Sequence, residues 1–295
     1  MSINRVLPPL RNKPYGGAWS VHDPETLSLI NLIEPNKGNR TEFLNDYKNW
    51  ISKGKNINAW EHFANLDFCA GTTESFAHFY YRHLGKRLRL YNGEYFYHWQ
   101  VARNYFKDSL EITEGALRKG DVVVMSCPFS GTGNLPNNFY EVLETCTNLS
   151  IPVMLDLAYI NISSLSELNL DYRCIEEVTT SLSKYFPVEH NRIGIRLRRN
   201  FFDDALFAYN ENEYVNHYSI NIGHSLIKKF DNSWLLKKYQ PQQEKICNKL
   251  GIEKSNCVIF GLAPQGKFDE YSRGGALNRL CFSRFWDGRI DVGKN

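Results

Sequence analysis

Between residues 66 and 200 short apolar runs alternate with helix-like stretches, and this rhythm limits the possible folds more than any other feature. Residues 86–91 (KRLRLY) alternate like a strand. Gly120-Asp121 leads into VVVMSC, a buried-strand pattern, and 151–156 (IPVMLD) gives a second. Residues 177–182 (EEVTTS) and 192–198 (RIGIRLR) are strand-like too. Between these runs, 136–149 predicts a helix. So does ESFAHFYYRHL after the turn Ala70-Gly71-Thr72-Thr73, with Phe76, Phe79 and Tyr80 on one face. Strands that alternate with helices imply an α/β fold: a mainly parallel mixed sheet covered by helices on both faces.

The flanks read differently. Residues 1–20 are rich in Pro, Gly and basic residues and predict an extended arm. Residues 24–64 predict helix, broken near Pro35–Gly38. Beyond 201, residues 213–250 predict one or two amphipathic helices ending near Gly251, and 257–262 (CVIFGL) and 279–285 (RLCFSRF) predict strands. The expected division is an N-terminal arm and helical segment over 1–65, a large α/β domain over 66–200, and a reduced α+β C-terminal domain over 201–295.

Composition excludes several classes. The net charge of +3 over 295 residues gives no basis for a nucleic-acid or membrane surface. The seven cysteines have no C-x-x-C pair and no zinc-finger spacing, so free thiols, no metal site and a reducing, cytoplasmic compartment are expected. No apolar run is long enough to span a membrane. The helical segment with Lys228, Lys229, Lys237 and Lys238 reads as a solvated face.

Four points carry chemistry. Gly71-Thr72-Thr73 opens a helix, where free N–H groups suit a phosphate. Asp156 ends a buried strand, and the carboxyl ends of strands in open α/β sheets are where ligands gather. Lys184, in Ser181-Leu182-Ser183-Lys184, directly follows a strand, and a lysine whose charge is disfavoured by burial forms imines readily. Arg192 can grip phosphate oxygens with two N–H groups. Each has an ordinary alternative taken singly: a Thr N-cap, a loop-capping Asp, a surface Lys, a strand-edge Arg. Arg196, Arg198 and Arg199 are given no function and suit a solvated basic edge.

In order and spacing these segments resemble the aspartate aminotransferase superfamily, the fold-type I enzymes dependent on pyridoxal phosphate, as a shortened member. SLSKYFPVEHNRIG carries most of the likeness, with Ser181, Ser183, Lys184, Arg192 and Gly194 at the matching positions. Asp156-Leu157-Ala158-Tyr159 looks like the family's Asp-x-Ala-Tyr, and Gly71-Thr72-Thr73 like its phosphate loop. Tyr95 and His98 repeat an aromatic-x-x-His spacing. The resemblance implies that Lys184 carries the cofactor as a Schiff base and that Asp156 pairs with its ring nitrogen. Tyr159 then donates to the 3′-oxygen, Tyr95 stacks on the ring and His98 sits behind Asp156. It also implies that Arg192, Thr72 and Thr73 hold the phosphate and that an arginine near the C-terminus grips a substrate carboxylate. Arg279 is the candidate, with Arg273 and Arg284 as competitors. The sequence departs from the pattern at Ser130, which stands where the family has an Asn, and at Pro187 and His190 in the turn before Arg192.

The expected activity is transamination between an amino donor and a keto acceptor, with Lys184 moving the proton, in a homodimer. The alternatives are another reaction on the same cofactor (elimination, decarboxylation or racemisation) or a non-catalytic ligand-binding relative.

Overall fold

A computed structural model describes residues 10, 13–113 and 115–290. The far part of the expected arm, residues 1–9, 11 and 12, lies outside the described residues.

Two helices come first, α1 (Pro24–Leu32) and α2 (Arg40–Ser52). Asp23 caps α1 by accepting from the Glu25 N–H, with Pro24 in the first turn, and Asn39 caps α2 through the Glu42 N–H. The break expected near Pro35–Gly38 falls between them. Then follow β1 (Asn56–Asn58), β2 (Asn65–Cys69), α3 (Thr72–His83), β3 (Arg87–Leu90), α4 (Phe96–Tyr105) and β4 (Ser109–Glu111). The centre of the chain gives β5 (Asp121–Ser126), α5 (Phe139–Asn148), β6 (Val153–Asp156), β7 (Glu167–Asn169), β8 (Ile175–Ser181) and β9 (Gly194–Arg198). Three helices follow: α6 (Ala205–Glu211), α7 (His217–Lys229) and α8 (Trp234–Leu250). The last elements are β10 (Glu253–Lys254), β11 (Phe260–Pro264), β12 (Leu277–Cys281) and the short α9 (Ser283–Trp286).

Seven strands form one sheet in the order β2-β9-β8-β6-β5-β3-β4. Only β9 runs against its neighbours, so the sheet is mixed and mostly parallel. Alternation along β5 and β6 sends side chains to two cores. Val122, Val124 and Met154 join Phe76, Phe79, Tyr80 and Val101 of α3 and α4. Val123, Met125, Val153 and Leu155 join the larger core with Phe43, Phe139 and Leu226 from α2, α5 and α7. This is the two-sided burial that the near-continuous apolar strands require. The carboxyl ends of β2, β3, β5, β6 and β8 therefore meet at one edge, and the reversal of β9 brings its amino end to the same edge.

A second, antiparallel sheet has the order β10-β11-β12. Cys247 of α8 packs there with Ala263, Leu280 and Phe282, and Gly251 ends α8 in the left-handed region at φ +60°. The expected strand over 279–285 is shorter than its pattern: it stops at Cys281, and Ser283–Trp286 turns into α9.

One surface reading is corrected. Arg196 and Arg198 are no solvated edge but buried side chains, ion-paired with Asp67 on the neighbouring β2. The four lysines divide between α7 and α8. Lys228 pairs with Glu42 at 2.8 Å and Lys238 with Asp23 at 2.7 Å, tying α7 to α2 and α8 to the start of α1. All seven cysteines are free and buried. No helix among the described residues is long and apolar enough to cross a membrane.

Candidate active site

A cavity of about 390 Å³ opens at the carboxyl edge of the large sheet. Its walls come from the loops after β2, β3, β5, β6 and β8, from the N-terminal segment Gly17–Ser20 and from the Ser272–Gly274 loop with β12. Thr72, Thr73, Tyr95, Ser130, Asp156, Tyr159, Ser181, Ser183, Lys184, Arg192 and Arg279 all line it. Gly71 and His98 stand behind the wall.

One end of the cavity is built from two segments, the start of α3 and the residues that lead into β9. Arg192, at φ +55°, sits two residues before β9 and donates from Nη2 to Thr73 Oγ1 at 2.9 Å. Gly71 lies beneath it at φ +76°. A Cβ on Gly71 would stand 2.5 Å from Arg192 Nη2, so only glycine lets the guanidinium settle there. Gly194 has the same logic, because its Cβ would meet Gly71 Cα at 2.9 Å. Helix α3 has no side-chain cap, which leaves its first-turn N–H groups to other acceptors.

Asp156 ends β6. It accepts the Ala158 N–H at 2.9 Å and forms no ion pair among the described residues. Burial, with a smaller push from Glu94 and against the pull of the Ala158 N–H and Lys184, raises its pKa to about 7. Lys184 occupies a single helical turn directly after β8, and its Nζ donates to the Ala18 carbonyl at 2.7 Å. Ser181 and Ser183, which flank that turn, hydrogen-bond to each other at 2.8 Å.

His98 is fully buried. Its Nδ1 meets Tyr80 Oη at 2.7 Å while Nε2 has no partner, and burial lowers its pKa to about 3. His98 is thus a neutral ring bonded to Tyr80, with no hydrogen bond to Asp156. Tyr95, half exposed, packs edge-on to His98 at 5.6 Å.

The three C-terminal arginines separate. Arg279 donates to the carbonyls of Ser130 and Gly17 and stacks 4.1 Å from the Phe260 ring centre. Its Nη1 also reaches Tyr159 Oη at 3.4 Å. Arg273 shares the Gly17 carbonyl at 3.3 Å and leaves Nε without a partner. Burial, then the charge of Arg279, lowers its pKa to about 9. Arg284 turns away and donates to the carbonyls of Lys13 and Pro14.

Several wall residues escaped the sequence reading. Glu189 lines the cavity and holds the N-terminal segment through Ser20 Oγ at 2.9 Å and His22 Nε2 at 2.9 Å. Glu94 is a buried carboxylate beside Ser126. Gly17 and Ala18 enter as backbone acceptors. Glu94 and Glu189 each lie one residue from a flagged position, Tyr95 and His190, but adjacency alone did not mark them.

No family model and no curated protein matches the sequence. Solved structures do match the fold. A pyridoxal-phosphate-bound C–S lyase from Staphylococcus hominis superposes with a TM-score of 0.66 at 11% identity, covering 90% of this chain and 86% of that one. Tyrosine aminotransferase from Leishmania infantum gives 0.65 at 12% identity, covering 93% and 91%. N-succinyldiaminopimelate aminotransferase from Mycobacterium tuberculosis gives 0.63 at 14%, covering 91% and 88%. The fold is that of the fold-type I, aspartate aminotransferase-like enzymes.

Proposed function

We propose that this chain, built on the aspartate aminotransferase-like fold, is a pyridoxal-phosphate-dependent enzyme that transfers the amino group of an amino acid or related amine. The observation that carries this reading is convergence. Thr73, Asp156, Tyr159, Lys184 and Arg192 come from three separate connections, those after β2, β6 and β8, and line one cavity.

The residues fit the cofactor. Arg192, Thr72, Thr73 and the open start of α3 suit its phosphate. Asp156, buried without a cation partner among the described residues, suits a protonated ring nitrogen. Tyr95 offers an aromatic face, and Tyr159 and Ser130 offer hydroxyls. When bound, pyridoxal phosphate supplies an aldehyde that condenses with amines and a protonated ring that draws electrons from the substrate Cα.

The chain's own groups do the rest. Lys184 Nζ would anchor the cofactor and, once released, would carry the proton from the substrate Cα to the cofactor carbon that bears the amine. Asp156 keeps the ring nitrogen protonated. Arg279 and Arg273 meet the substrate carboxylate. Gly17–Ser20 and Glu189 close the cavity against water. The same reading includes a keto acceptor and a homodimer. Elimination is the second reading. It is favoured by Ser130, whose hydroxyl reaches less far than the family's Asn, and by the C–S lyase among the structural neighbours.

The test is spectroscopic. The purified protein takes up pyridoxal phosphate and turns yellow, borohydride fixes the label on Lys184, and Lys184→Ala abolishes both fixation and turnover. A protein that stays colourless overturns the proposal. Amine appearing on a keto acceptor marks transfer, whereas free ammonia marks elimination.

A further inference from the structure

The cavity floor holds a second buried carboxylate. Glu94, 5% exposed, sits in the loop between β3 and α4. Its Oε2 accepts the Ser126 N–H at 2.9 Å, and its Oε1 accepts the Tyr95 N–H at 2.8 Å and the Ser126 hydroxyl. Ser126 ends β5 and is the register partner of Asp156, which ends β6. Glu94, reaching from the β3–α4 loop, is thus held on the end of β5, the strand next to the one that Asp156 ends, and both carboxylates line the cavity.

Their surroundings supply little positive charge. Lys184, in the turn after β8, opposes the rise at Asp156. Tyr80 of α3 and Tyr91 after β3 are raised by burial and then by Glu94. Tyr95 and Cys127 are raised chiefly by burial, with Asp156 adding to it, and Arg192 pulls Tyr95 the other way. His98 of α4 is held neutral. Neither Glu94 nor Asp156 has an ion pair among the described residues, whereas buried Asp67 and Asp121 both do.

The two carboxylates are held differently. Three donors fix Glu94, so it cannot swing to a ligand. The Asp156 carboxylate has one donor, the Ala158 N–H, and remains open to pairing. Burial pushes the Glu94 carboxyl up, against the pull of its three donors; when Glu94 is ionised, a cation bound at Asp156 faces two negative charges, one in contact and one held on Ser126.

We propose that Glu94 is a positioning residue: a second carboxylate, anchored on Ser126 beside Asp156, that acts through Asp156 to hold positive charge on the ring nitrogen of the bound cofactor. This rests on the cofactor reading above.

The experiment loads wild type and Glu94→Gln with pyridoxal phosphate carrying ¹⁵N in the ring and follows the nitrogen shift against pH. The protonation midpoint falls by about one unit or more in Glu94→Gln, and Glu94→Asp restores most of it. An unchanged midpoint overturns the role of Glu94 and leaves the cofactor reading standing. Wild type that binds no pyridoxal phosphate overturns the cofactor reading, and this inference with it. Should Glu94→Gln not fold, Ser126→Ala loosens the anchor and moves the midpoint the same way by less. A midpoint unmoved in Ser126→Ala overturns the anchoring.

Discussion

The large sheet meets buried charge in two places: along β2, β8 and β9, and at the edge that faces the cavity. In mid-sheet every buried carboxylate meets a guanidinium. Asp67 lies 2.9 Å from Arg196 Nε and 3.2 Å from Arg198 Nη2. Asp204 takes both Arg196 Nη groups at 2.6 and 2.8 Å. Glu177 takes Arg82 at 2.6 Å. At the edge the partners are neutral. Asp156 has an amide N–H, Glu94 has amides and a hydroxyl, Arg192 has a hydroxyl and a carbonyl, and Arg279 has carbonyls and Tyr159 Oη. Buried charge is tolerable when paired, and unpaired charge in a cleft is a mark of ligand chemistry. The one sheet thus separates a structural network from a cavity whose charges await a partner.

The comparison breaks most easily at Asp67. Asp67→Ala leaves Arg198 buried without its carboxylate and Arg196 with one fewer, so stability falls by about 3–5 kcal/mol. Denaturant unfolding measures this. A loss below about 1 kcal/mol, the level of exposed pairs, would mean that the mid-sheet network is no more structural than the surface. Asp156→Asn is the counterpart at the edge. It keeps the Ala158 contact, removes a charge that nothing in the chain neutralises, and leaves unfolding at neutral pH no easier. Amino transfer falls by about 10²–10³-fold, the usual cost of a missing electrostatic partner at a reacting group. If Asp156→Asn instead unfolds like Asp67→Ala, the distinction between the regions fails.

What the sequence disclosed follows the same line. The strand rhythm was legible because it rests on local pattern, and Asp156, Lys184 and Arg192, each ordinary when taken singly, stood out through the order and spacing that resemble the family. Asp67 and Arg196 were not legible, because they lie 129 residues apart and meet only when β2 pairs with β9. Strand β2 itself was missed, since NLDFC mixes polar and apolar positions that make sense only beside the arginines of β9. Helix α4 escaped because its aromatic-rich sequence shows no clean helical stripe. Glu94 was invisible as a site residue because its meaning depends on Ser126 and on the register of β5 with β6. Arg279 was singled out by likeness, yet its hydrogen bond to the Gly17 carbonyl requires a segment 262 residues away.

The smallest expected effect is a difference in pH signature. At Asp204 burial opposes ionisation, but the hydrogen bonds from Arg196 and the Phe207 N–H outweigh it and hold the carboxyl well below the usual range. Its contribution is present above the unfolded value of about 3.9 and is lost as pH falls through the folded value. Asp156 has the opposite sign. Burial raises it to about 7, so the folded protein binds that proton more tightly than the unfolded chain. Its contribution is fully present below about pH 4 and disappears as pH climbs through 7, on the order of 2 kcal/mol. Unfolding free energies of the ligand-free protein between pH 2 and 8 therefore show an acid-side loss and a neutral-side loss. Asp156→Asn abolishes the neutral-side loss and retains the acid-side one, because the mid-sheet pairs are untouched. A variant that loses both, or a wild type whose stability is level from pH 4 to 7, contradicts the assignment of unpaired charge to the cavity edge.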